Sequence, residues 1–145
     1  MHTYEHRQTA QWIVLIATLA AVAYAMAAFM TGLYVFFGIA LLLLAVALGF
    51  GTLSTRVTDA GISWAYTLGW PGQAISLADV AKAEVTTTTF WEGWGIHWTI
   101  WHGWLWNAAG YGAVMIHRRS GGVVTVGTDD PQGLYEAIVE RLPKP

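Results

Sequence analysis

Residues 11–30 read QWIVLIATLAAVAYAMAAFM and, after Thr31 and Gly32, residues 33–50 read LYVFFGIALLLLAVALGF. Each run approaches the roughly 20 apolar residues that a helix needs to cross about 30 Å of hydrocarbon. A pair of core helices in a soluble bundle would need polar faces, and neither run has one. A cleaved signal peptide would have a shorter apolar stretch, and no second run would follow it at once. The predicted element is therefore a transmembrane helical hairpin with spans of about 11–30 and 33–50, closed by Thr31 and Gly32. Ala17, Ala21 and Ala25 on the first helix, and Gly38, Leu42, Ala45 and Gly49 on the second, form faces of mostly small residues that let the backbones approach. Those faces serve either the hairpin itself or a homo-oligomer.

Outward from this hairpin, no Asp, Glu, Lys or Arg occurs between Arg7 and Arg56. The turn is uncharged and the outer ends carry arginine. The positive-inside bias then predicts a multi-pass protein of the plasma (inner) membrane with both termini cytoplasmic, and Trp12 and Tyr34 fall near span ends, where amphipathic rings favour the interface. From Leu53 onward there are six basic and eight acidic residues. Such a balance gives no field that would draw in nucleic acid or anionic lipid. The chain has no cysteine, which excludes disulfides, thiolate nucleophiles and Cys-based zinc sites.

Beyond residue 52 the pattern changes to short β-rich runs, dividing the chain into a tail plus hairpin (1–52) and a folded domain (53–145). LSTRVTD and ISWAYTLGW flank Asp59-Ala60-Gly61 as one hairpin, and YGAVMIH and VVTVGT flank RRSGG as another. Pro71-Gly72 marks a break, QAISLADV reads as a short strand and a link, and AKAEVTTTTF has strong β character. About seven strands are expected. Asp130 before Pro131 reads as an N-cap followed by proline at the first helical position. Leu134, Ile138, Val139 and Leu142 form one apolar stripe, and Pro143 stops the helix. Such a stripe must cover an open sheet face or end.

The helix pair, the GWGI stretch (Gly93 to Ile96), the WLWN strand (Trp104 to Asn107) and the closing GTDDPQGLYEAI (Gly127 to Ile138) resemble the membrane-anchored bacterial proteins with a pleckstrin-homology-like domain. The resemblance covers nearly the whole chain. It implies an α+β or all-β domain of antiparallel strands, in a partly open barrel or two near-orthogonal sheets, closed at one corner by a C-terminal helix. It brings no ligand with it. Phosphoinositide binding in that fold uses several Lys and Arg around the first hairpin, whereas here that turn is Asp59-Ala60-Gly61 with only Arg56 nearby. The family's basic residue after GWGI is His97 here, and a histidine contact with an acidic partner would depend on pH.

The stretch FWEGWGIHWTIWHGWLWN, Phe90 to Asn107, holds six of the nine tryptophans and two of the five histidines. Core packing, a lipid- or partner-facing surface and a small-molecule pocket compete to explain it. Strand alternation puts Ile96, Trp98 and Ile100 on one face and His97, Thr99 and Trp101 on the other. Trp104 and Trp106 share a face of the next strand, suited to packing against the final helix. Trp98, Trp104 and Trp106 are accordingly expected to be structural. Trp91, Trp94 and Trp101, with His97 and His102, are the predicted binding surface. His97 and His102 lack the spacing of a helical metal site and fall on opposite strand faces. No Gly-x-Ser-x-Gly elbow, Walker loop or dinucleotide fingerprint occurs. The expectation is a non-enzymatic membrane-anchored binding or scaffolding module without cofactor. Its partners would be the lipid bilayer and a membrane protein or a second copy. The alternative is a ligand-binding or enzymatic domain with an aromatic pocket around residues 91–106.

Overall fold

The computed structural model describes residues 3–142, so Pro143, the expected helix stop, lies outside the described residues. The first strand, β1 (Tyr4–Thr9), comes from a segment read as a tail; it pairs antiparallel with β2 (Thr52–Val57) from Tyr4↔Val57 to Thr9↔Thr52. Between them the chain makes its apolar excursion, α1 (Gln11–Thr31) and α2 (Val35–Phe50). Both ends of the excursion meet at one point, because the Ala10 N–H donates to the Gly51 carbonyl at 2.8 Å. β3 (Gly61–Tyr66) and β4 (Gly72–Ser76) complete a four-stranded antiparallel sheet in the order β1-β2-β3-β4.

The helix pair corrects the predicted localisation. Only α1 is long and apolar enough among the described residues to cross a membrane. The 16 residues of α2 rise only about 24 Å at 1.5 Å each, short of a 30 Å hydrocarbon core. Leu33 and Tyr34, the first two residues of the predicted second span, belong to the turn: Gly32 takes a left-handed conformation (φ 69°) and the Leu33 N–H bonds to Thr31 Oγ1 at 3.3 Å. A multi-pass plasma-membrane protein with cytoplasmic termini is therefore not supported. The arginines behind that topology lie in paired strands of one sheet, and Arg56 is matched by Glu5 at 3.0 Å. Packing between the helices uses Ala21 and Ala28 of α1 and Ala40 and Ala47 of α2, all buried. Ala17 and Ala25 are half-buried beside them, whereas Gly38, Leu42 and Ala45 of the predicted α2 face point outward.

A short 3-10 turn, Leu77–Asp79, leads into the second sheet. This holds β5 (Val80–Thr87), β6 (Gly95–Thr99), β7 (Gly103–Asn107), β8 (Gly112–Arg118) and β9 (Val123–Gly127) in the order β5-β8-β9-β7-β6. Asp79 locks the crossing between the sheets. Its carboxylate accepts from the Ser120 N–H (2.8 Å), Arg118 Nε (2.8 Å) and Ser120 Oγ (2.9 Å), and these contacts hold its pKa below the usual carboxylate range. Among the described residues nine strands stand where about seven were expected, and the sheets do not form a closed barrel. β5, β8 and β9 are antiparallel neighbours, and the β6–β7 hairpin is appended to the free edge of β9 by a parallel β7–β9 pairing.

The core lies between the two sheets, with Leu53, Val57, Ile62, Trp64 and Tyr66 on one side and Val114, Ile116, Val124 and Val126 on the other. The last helix, α3 (Pro131–Val139), closes the corner where β1 and β2 approach β5 and β8. It begins as its sequence dictates, with the Asp130 side chain accepting from the Gly133 N–H at 3.0 Å and Pro131 in the first turn. Leu134 and Ile138 are fully buried, but Val139, expected in the same stripe, is exposed. That contrast is measurable. Ile138→Ala should cost roughly 2 to 5 kcal/mol, whereas Val139→Ala should lie within about 0.5 kcal/mol of the parent. Urea unfolding of the purified chain in mild detergent reads both, and equal losses would mean that α3 packs on a different face.

Candidate functional site

The strand registers give the domain two ends. Thr9↔Thr52, Leu53↔Tyr66, Thr87↔Gly112, Ala113↔Gly127 and Gly95↔Asn107 lie at the end from which the helices leave. Tyr66 ties the sheets there, donating its hydroxyl to the Asn107 carbonyl at 3.1 Å. The β3–β4 turn, the β5–β6 connection and the β7–β8 loop all fall at this helix end. The β2–β3 and β8–β9 turns fall at the other, distal end.

The five predicted surface residues are not brought into one patch. Trp91 and Trp94 belong to the helix end, where Phe90 packs edge-on against both, at ring separations of 5.7 and 6.1 Å. Trp101 is exposed on the β6–β7 connection. His102 is buried instead, because that connection folds back over the outer face of the second sheet, the face away from the core. There the Thr125 hydroxyl donates to the His102 carbonyl at 2.7 Å, and the ring meets Glu92 through Nδ1 and Thr86 Oγ1 at 3.3 Å through Nε2. His97 faces the same side, in register with Leu105.

Glu92 is the other half of this fastening. It closes a 3-10 turn, Phe90–Glu92, by a capping box in which its Oε2 accepts from the Thr89 N–H at 2.8 Å and the Thr89 hydroxyl at 3.1 Å. Burial pushes its carboxyl up, but the Thr89 N–H, the His102 ring and the Thr89 hydroxyl together outweigh that and hold it below the usual range. The pair joins two connections that the sequence separates, the β5–β6 connection and the β6–β7 connection.

Of the three tryptophans expected to be structural, only Trp106 is, at 8% exposure; Trp98 and Trp104 are 61% and 52% exposed. Trp106 packs on Trp64 (6.0 Å) and Tyr66 (6.3 Å). Trp98 and Trp104 are cross-strand partners at the distal end. Alternation puts them on the core-side face, but the first sheet does not extend over them. With Arg118, Gly121, Gly122 and Val124 they line an open groove of about 340 Å³. Strand alternation identifies their shared face; it does not indicate where the cover ends.

A second groove, about 490 Å³, lies at the foot of α1 and is lined by Trp12, Ile13, Ile16, Trp94, Gly110 and Asp129, among others. Its single carboxylate, Asp129, is engaged by His6. Among the described residues no group of three or more His, Cys, Asp or Glu is placed to hold a metal ion. Sequence reading missed Leu68, Trp70 and Tyr111, which stand exposed on the helix-end loops. The signal was present in the turn at Pro71-Gly72, which fixes the register of Trp70, but the end of the domain it reaches is a tertiary fact. Comparison with family models, curated proteins and solved structures finds no match.

The Glu92–His102 fastening has a pH signature. A carboxyl held low in the folded state contributes stability that is complete above its unfolded pKa, about 4.3, and is lost as pH falls through the folded value. Glu92→Gln should cost about 1 to 3 kcal/mol at pH 7 and flatten the loss of unfolding free energy between pH 6 and 3. Urea titrations of both proteins across that range decide it; parallel curves would show that the pair does not contribute.

Proposed function

We propose that this chain is a non-enzymatic, lipid-anchored binding module whose apolar helices enter a bilayer from one face without crossing it twice and whose distal groove takes a segment of a protein partner. The hairpin reading rests on apolar exposure. Ile16, Leu19, Phe29, Leu41 and Leu48 are all open to the surroundings, and the helices pack on each other while touching the sheet only at their feet. An apolar surface of this extent is out of keeping with a monomer in water. The domain reading draws support from its strand order. Setting aside the β6–β7 hairpin leaves four plus three antiparallel strands and a closing helix, the arrangement implied by the pleckstrin-homology-like resemblance. The parallel β7–β9 pair departs from it.

The exposed Trp98–Trp104 pair carries the functional reading. Tryptophan and arginine dominate binding hot spots because a large ring or a planar cation fills a pocket at low entropic cost. Here two indoles line one groove beside Arg118, whose guanidinium is itself engaged by Asp79, about 10 Å along β6 from the end where the helices leave. Lipid around the hairpin does not reach that far. The enzymatic or ligand-pocket alternative finds its best support in the groove at the foot of α1. That groove is open toward the helices, and its carboxylate is already matched by His6.

A photo-crosslinking side chain at position 98 tests the assignment in cells, with the same group at exposed Gln132 as control. A discrete protein adduct at 98 that disappears with Trp104→Ala and is absent at 132 is the expected result. An adduct at twice the 15.8 kDa chain mass would reassign the groove to self-association, and adducts with lipid alone or with nothing would overturn it.

A further inference from the structure

We infer that the helix end of the domain is itself a bilayer-docking surface, in which Leu68, Trp70, Phe90, Trp91, Trp94 and Tyr111 form an aromatic collar seated in the headgroup region around the hairpin. The inference rests on the reading that the hairpin lies in lipid. Three loops distant in sequence supply these side chains: the β3–β4 turn, the β5–β6 connection and the β7–β8 loop. All six are exposed, Leu68 at 79%, Trp70 at 77% and Trp91 at 91%. Strand alternation does not force them outward, since none lies in a strand. Loop tips exposed to water carry polar residues as a rule; these carry the largest apolar ones.

The occupant follows from continuity. β1 ends at Thr9 and α1 begins at Gln11; α2 ends at Phe50 and β2 begins at Thr52. No linker separates the domain from the hairpin, so the loops around its feet lie level with the point where the helices enter lipid. Trp12 and Trp94 meet there in one groove, and Phe50 packs at a tilt against Tyr66, ring centres 5.1 Å apart. An indole gains most where its body is dry and its N–H is wet, which is the membrane interface. Residues 67–71, 88–94 and 108–111 contain no Lys or Arg, so the collar fits a neutral headgroup layer and does not depend on anionic lipid. Seating it would fix the domain's orientation and turn the Trp98–Trp104 groove away from the membrane.

The cysteine-free chain permits a direct test. Nitroxide labels are placed on Leu19→Cys, Leu68→Cys, Trp91→Cys and Trp98→Cys in the full chain, reconstituted in phosphatidylcholine vesicles. Collision with oxygen is compared with collision with a water-soluble nickel chelate. The label at 19 should report deep lipid, those at 68 and 91 a shallow site with loss of nickel collisions, and that at 98 full nickel access. If 19 is lipid-buried while 68 and 91 match 98, the collar is wrong and the anchoring survives. Nickel access at 19 would overturn the anchoring and the collar with it.

Discussion

The pairing of β1 with β2 is the contact on which the remaining architecture depends. It joins residues 43 (Thr9 and Thr52) to 53 (Tyr4 and Val57) positions apart and closes the apolar excursion at its base, where Ala10 bonds to Gly51. Closing so long a loop costs chain entropy, and six paired residues with the buried Gln8 and Leu53 offset that cost. β1 reaches further, because Tyr4 donates to Asp130 at 3.1 Å and His6 meets Asp129. The same strand therefore anchors the hairpin's feet and steadies the N-terminus of α3. A change in β1 would loosen the helices and the closing helix together.

The tryptophan-rich segment shows how one local composition serves three environments. Trp106 fills the core against Trp64 and Tyr66. Trp91 and Trp94 stand in a connection, where no alternation governs them. Trp98 and Trp104 lie on a strand face that outruns its cover. What holds these apart is the polar fastening of Glu92, His102, Thr86 and Thr125 on the outer face. A buried network of this kind stabilises only when each member is satisfied, and here the capping box of Thr89 satisfies the carboxylate's second oxygen.

The parts of the fold legible in the sequence are the local ones. The β2–β3 and β8–β9 hairpins follow from turn residues between alternating runs, and the α3 cap from Asp130-Pro131. β1 has no such mark. Its YEHRQT is polar, it exposes most of one face, and its partner lies far along the chain. Parallel pairing of β7 with β9 is likewise non-local and leaves no turn to read. In α2 the apolar count ran through Leu33 and Tyr34, because hydropathy does not distinguish a turn residue from a helical one. The candidate site was partly legible: the aromatic segment was identified, and His102 was misplaced because burial on the outer face depends on a connection folding back.

Register sets the distance between the two exposed aromatic groups. β6 starts beside Asn107, which Tyr66 ties to the helix end, and its fourth residue, Trp98, faces Trp104 beside the β8–β9 turn. A one-residue slip of β6 along β7 would send Trp98 to the outer face and bring His97 inward, away from their partners Trp104 and Leu105. The register is held against that slip at both ends. Gly103, at φ 62°, passes so close to the Val123 backbone that no side chain fits, and Trp106 is packed into the core. The proposed anchoring surface at one end and the open groove at the other are thus consequences of a single pairing, and the domain presents them on opposite sides because its strands run from one to the other.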